Sequence, residues 1–115
     1  MVDDFQSFKA GHPARAMFIK MGIEEYLKAA QSWRMLRSMI VDLNDNKKRG
    51  CFVDAARHAY GGASSGERVL LLAIMYVCDF AWLADELSDG QAWRRMRSAG
   101  GDYRRAVAAC IGAEA

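Results

Sequence analysis

Val69-Leu70-Leu71-Leu72-Ala73-Ile74-Met75-Tyr76-Val77-Cys78-Asp79-Phe80-Ala81-Trp82-Leu83-Ala84 is apolar at every position but Asp79. A helix that is apolar on all sides lies inside something, either a membrane or a ring of other helices. A spanning helix needs about 18 to 20 apolar residues without a charge, and Asp79 interrupts this run well short of that. The run therefore predicts a central helix at about residues 67–87, wrapped by the rest of a small bundle, with no membrane as partner.

The rest of the chain supports an all-α fold. Its 115 residues fit one domain, residues 1–115, with one core. Hydrophobic residues make up 52%, enough to fill that core, and proline occurs once, at Pro13. Alanine, leucine, methionine and arginine favour helix, and no stretch of alternating β-branched residues competes. Phe5 and Phe8 mark a short amphipathic piece, Asp3 to Ala10, which Gly11 and His12 break. Pro13 sits where the first turn of a helix tolerates it. From there Ile19, Ile23, Tyr26, Ala30, Trp33, Leu36, Ile40 and Leu43 step by three or four, the period of a buried helical stripe. This predicts one long helix, about residues 14–43 and about 45 Å long, with Gly22 carried inside it.

Beyond a polar turn, Asn44 to Gly50, a short helix is expected from Cys51 to Tyr60, stopped by Gly61 and Gly62. Ser64 with Glu67 spells a capping box that opens the central helix. Ser88, Asp89 and Gly90 make a turn before a helix from Gln91 to Ser98. Gly100 and Gly101 break the chain again, and Asp102 caps a last helix carrying Tyr103, Ala106, Val107, Cys110 and Ile111. The expectation is a compact bundle of five or six helices.

Net charge is only +2, but it is unevenly spread. Residues 61–90 hold five acidic side chains against one basic, whereas residues 31–60 hold six basic against three acidic and residues 91–115 five against two. Such segments either pair within the fold or leave a basic face exposed. Cys51, Cys78 and Cys110 are odd in number and widely spaced, which favours reduced thiols over a disulfide framework. The first residues, MVDDFQSFKAGHP, open with two acids and carry no apolar segment of the secretory kind. A cytoplasmic location is the expectation.

Gln31-Ser32-Trp33-Arg34-Met35-Leu36-Arg37-Ser38 recurs as Gln91-Ala92-Trp93-Arg94-Arg95-Met96-Arg97-Ser98, identical at five of eight positions. In both copies a Trp precedes an Arg by four residues, the spacing that sets a guanidinium over an indole. Trp and Arg are also the commonest residues at the energetic centres of protein interfaces. The competing reading is a core tryptophan covered by an arginine stem. The candidate partner-binding residues are Trp33, Arg34, Arg37, Trp93, Arg94, Arg95 and Arg97. Met17, Met21, Met35 and Met39 extend the same idea, since methionine suits adaptable contact surfaces.

The segment FAWLADELSDGQAWRRMRS, residues 80–98, resembles a helix-turn-helix, with Leu-Ala-Asp-Glu-Leu as the support helix and Gln91 to Ser98 as the reader. The resemblance covers about twenty residues and implies a DNA-binding regulator. Arg94, Arg95 and Arg97 would enter the major groove, with Arg104 and Arg105 on phosphates. The sequence departs from the motif in either register. Aligned on Ala84, Ser88 stands at the usual turn glycine and Asp89 at an apolar position. Aligned on Gly90, Glu86 stands where a small residue packs the two helices.

Other constellations read as structure. Cys51, Asp54 and His58 share a helix face, yet a metal site needs three or four ligands from more than one element, so no metal is expected. Gly61 to Gly66 leads into a helix N-terminus, as phosphate loops do, but lacks their Gly-Lys-Ser/Thr and carries Glu67 in the first turn. No cofactor is expected there. Asp79 is the best lone candidate for a functional carboxylate, since burial would raise its pKa unless a partner held its charge. With two histidines in separate segments and no converging nucleophile or base, no catalytic residue is assigned and the chain is expected not to be an enzyme. The expectation is a small non-enzymatic interaction or regulatory protein that binds a protein partner or itself, with a DNA-binding regulator as the alternative.

Overall fold

The apolar run fills the core from Leu70 to Met75, as its composition demands, but it is divided between two helices, and the second leaves Trp82 exposed. The structure, a computed structural model, describes residues 4–114. Among these residues the chain is all-α, with helices α1 (Asp4–Ala10), α2 (His12–Lys20), α3 (Glu24–Ala29), α4 (Trp33–Asp42), α5 (Cys51–Gly61), α6 (Ser65–Val77), α7 (Ala81–Leu87), α8 (Ala92–Arg97) and α9 (Arg104–Glu114). A π-helical turn, Leu43–Lys47, and a 3₁₀ turn, Gly101–Tyr103, complete the elements. The expected start of the first helix at Asp3 falls outside the described residues. No helix among them is long and apolar enough to cross a membrane.

Helix α6 is the axis of the fold. Leu70 through Met75 are buried at every consecutive position, and α2, α5, α7, α8 and α9 pack around it. Its start is the capping box that Ser64 and Glu67 announce. The Ser64 hydroxyl accepts from the Glu67 backbone N–H at 3.3 Å, and Glu67 Oε1 accepts from the Ser64 N–H at 2.8 Å. Glu67 Oε2 also pairs with Lys20 of α2 at 3.0 Å. These hydrogen bonds, the one from the Ser64 backbone foremost, hold the Glu67 carboxyl below its ordinary range.

The number of helices exceeds the expected five or six because three breaks, at Gly22, Ala30–Ser32 and Asp79, fall inside stretches whose period predicts continuous helix. The 14–43 helix is three helices. Met21 is the C-cap of α2, Gly22 follows at φ +74°, the Gly22 N–H donates to Ile19 O at 2.9 Å, and the Ile23 N–H donates to Phe18 O at 3.0 Å. That pair of bonds around a left-handed residue is the Schellman stop. Glycine here ends the helix rather than weakening its middle. The second break comes at Ala30, which is extended, and at Ser32, whose hydroxyl caps α4 through the Met35 N–H at 3.1 Å. The longest dimension of the fold is 35 Å, too short for a straight helix of about 45 Å.

The break at Gly22 also rotates the buried face. Helix α2 buries Ala14, Met17 and Phe18, which leaves Ile19 55% exposed instead of in the core stripe. Met17 and Met21 are core residues and Met39 is half-buried, so of the four methionines assigned to a contact surface only Met35 is exposed.

The same stop divides the 67–87 helix. Cys78 caps α6, Asp79 has φ +75°, the Asp79 N–H donates to Tyr76 O at 3.3 Å, and the Phe80 N–H to Met75 O at 2.7 Å. Asp79 is therefore an exposed turn residue and not a buried carboxylate. A third copy ends α7, with Asp89 at φ +56° and the Gly90 N–H on Asp85 O at 2.7 Å. An L-residue in this conformation costs about 1–2 kcal/mol, less for Asp than for most. Asp79→Gly is expected to raise stability by up to about 1 kcal/mol. Asp79→Val is expected to lower it, and paired urea unfolding curves read both signs.

The polar turn after α4 is more ordered than its composition suggests. The Asn44 side-chain carbonyl accepts from the backbone N–H groups of Phe52 and Val53 at 3.0 and 3.1 Å, which caps α5 from eight residues upstream.

Candidate functional site

Helix α8 sets the geometry of the candidate surface. Ala92 and Met96, four apart, face the core, and α8 lies against α6. At about 100° per residue, Trp93 and Arg95 then fall on opposite flanks, with Arg94 and Arg97 outward. Trp93 is 46% exposed, and its ring meets Tyr76 of α6 edge-on at 5.3 Å. Arg94, Arg95 and Arg97 are exposed, and Arg95 Nη1 stands 3.5 Å from the Tyr60 hydroxyl.

Tyr76 joins this helix to α7. Its hydroxyl donates to Asp85 at 2.7 Å. Asp85 lies one turn from Trp82 on the same side of α7, and Trp82 is 53% exposed. One face therefore runs from Trp82 past Asp85 and Tyr76 to Trp93. Trp82 was not singled out from the sequence, because it sits in the apolar run whose core role is obvious. Its signal was the phase: Leu83 and Ala84 are buried, and Trp82 precedes them on the outer side.

Burial and the Asp85 hydrogen bond push the Tyr76 phenol up to about 12. Its neutral form belongs to the fold, so the stability it contributes is full below the ordinary value near 10. It is lost as pH rises through about 12. One of the four tyrosines is expected to ionise last in an absorbance titration. Tyr76→Phe is expected to remove that late phase and to flatten the loss of stability between about pH 10 and 12.

The acidic segment does not neutralise the α8 arginines. Asp85 takes the Tyr76 hydroxyl, and Glu86 pairs with Arg57 of α5, a bond that lowers the Glu86 carboxyl and raises the Arg57 guanidinium. Among the described residues Arg94, Arg97, Arg104 and Arg105 form no ion pair with a carboxylate. Comparison with family models, with curated proteins and with solved structures finds no match to this chain.

The first Trp/Arg copy has a different setting from the second. Trp33 is half-buried, with Phe5 at 5.1 Å and Phe8 at 4.8 Å, so α1 covers its ring. Arg37 is half-buried and its Nε donates to Val77 O at 3.0 Å, at the C-terminal end of α6. Arg34 is exposed. The structure thus links Trp93, through Tyr76 and Asp85, to the α7 face that carries Trp82, with Arg97 one turn beyond Trp93, and separates these residues from the Trp33 copy. Of the remaining candidates, Cys51 is half-buried while Asp54 and His58 are exposed.

Proposed function

We infer that the chain is a small non-enzymatic interaction or regulatory protein that binds a protein, first of all a second copy of itself, through the α7–α8 face. The observation that carries this reading is the pair of exposed tryptophans, Trp82 and Trp93, linked through Tyr76, with Arg97 one turn beyond Trp93 and without a carboxylate partner among the described residues. Large exposed aromatic groups beside Arg are the usual energetic centre of an interface. The thiols Cys51, Cys78 and Cys110 fit a reducing, cytoplasmic setting.

The experiment is sedimentation velocity over a wide concentration range, at low and moderate salt, for the native chain and for Trp82→Ala/Trp93→Ala. Association that survives added salt and disappears in the double variant supports the reading. The alternative is a DNA-binding regulator, favoured by Arg94, Arg97, Arg104 and Arg105 all lying exposed. Fluorescence anisotropy with labelled random-sequence duplex separates the two. Phosphate contacts make affinity fall steeply with salt. DNA binding of that kind, abolished by Arg97→Glu/Arg104→Glu, would replace the protein-interface reading with the regulator.

A further inference from the structure

The flank of α8 opposite Trp93 closes one wall of a cleft of about 560 Å³. Its other walls are the first turns of α6 and the 3₁₀ turn at Tyr103, and its lining includes Arg68, Arg94, Arg95, Ser65, Ser98 and Tyr103. Three guanidinium groups line it, and no Asp or Glu does. The larger groove beside α1 and α9 differs, because Asp4 and Asp102 share its wall with Arg105.

Two of the three arginines are held beside each other by a single tyrosine. Arg68 stacks over the Tyr60 ring at 5.1 Å, its Nε donates to Tyr60 O at 2.9 Å, and its Nη2 donates to Gly61 O at 3.3 Å. Arg95 reaches the hydroxyl at the far end of the same ring. Like charges so placed repel, and no carboxylate of the wall offsets them. Glu67, the nearest acid in sequence, is turned to Ser64 and Lys20. The stacked, backbone-anchored Arg68 is fixed in position and keeps N–H donors beyond the two it spends on the carbonyls. Guanidinium groups in such an arrangement match the paired oxygens of a phosphate. The volume falls in the range of small-molecule sites, about 300–1,000 Å³, and is larger than a lone phosphate requires.

We propose that this cleft binds a small phosphorylated molecule, with its phosphate or diphosphate group on Arg68, Arg94 and Arg95. The assignment is independent of the tryptophan face, which lies on the other flank of α8.

The test is an NMR titration of the arginine Nε–Hε signals with inorganic pyrophosphate, and separately with inorganic phosphate, at constant ionic strength. The signals of Arg68, Arg94 and Arg95 are expected to shift together and saturate with one dissociation constant, while those of Arg34 and Arg104 stay in place. Arg94→Gln and Arg95→Gln, both at exposed positions, are each expected to weaken pyrophosphate binding about tenfold. Trp82→Ala/Trp93→Ala is expected to leave it unchanged, so its failure and that of the interface reading are distinguishable. Shifts that spread over all arginines without saturating would overturn the proposal. So would a short DNA duplex that moves the same three signals at lower concentration than pyrophosphate, because the cleft would then belong to a nucleic-acid surface.

Discussion

Leu71→Ala is expected to lower the free energy of unfolding by about 2–5 kcal/mol, a large part of the roughly 5–15 kcal/mol that holds a domain of this size together. The reason lies in the position of α6. Leu71 is fully buried, and so are its neighbours from Leu70 to Met75, with five helices packed around them. A cavity opened there has wall on every side and cannot collapse without moving several helices at once. Partial relaxation is what separates cheap from costly truncations of one chemistry. The expected fall in Tm is about 10–20 °C. Leu87→Ala serves as the comparison, since Leu87 is half-buried at the end of α7 and its truncation leaves a hollow that solvent can enter. Urea unfolding followed by far-ultraviolet circular dichroism measures both. Equal losses for the two variants would mean that α6 is not the axis of the core.

The burial of Leu70 to Met75 was legible because composition alone dictates it: a helix apolar all round has no face to give to water. The Ser64–Glu67 box was legible because both partners are chemically specific and three residues apart. The helix ends at Gly22 and Asp79 were not, although the device that makes them also ends α7 at the expected Ser88–Gly90 turn. A glycine within a helical period reads equally as a tolerated interior residue or as a stop. An Asp in the left-handed position is disguised further, because its local advantage is small and its charge suggests chemistry. The deciding bonds, Ile23 to Phe18, Phe80 to Met75 and Gly90 to Asp85, run between backbone groups and leave no mark on side-chain identity.

The site shows the same limit at longer range. Residues 31–38 and 91–98 share Trp, Arg and Ser at matching positions, yet one tryptophan lies under Phe5 and Phe8 while the other faces solvent beside Tyr76. What covers Trp33 is a helix more than twenty residues upstream, and nothing within the octapeptide encodes its presence. The arginine cleft is equally non-local. Arg68 and Arg95 come within one tyrosine of each other only because α8 folds back onto the first turns of α6.

Arg37→Met is expected to cost about 1.5–3 kcal/mol of stability, whereas Arg34→Met, at an exposed position on the same helix, is expected to stay within about 0.5 kcal/mol of the native chain. The two arginines are equivalent in the sequence and differ in what they reach. Arg37 Nε donates to Val77 O at 3.0 Å, and Val77 is the last residue of α6. The final carbonyls of a helix lack partners within it, and the negative end of the helix dipole favours a cation there. Methionine keeps the aliphatic stem and removes the donor, so the variant isolates the guanidinium from the packing of its chain. Leaving the carbonyl of the buried Val77 with one partner fewer contributes to the cost. Thermal and urea unfolding of both variants beside the native chain decide the matter. A stable Arg37→Met that loses self-association would instead return Arg37 to the binding surface with Arg94 and Arg97, and would move the interface onto α4.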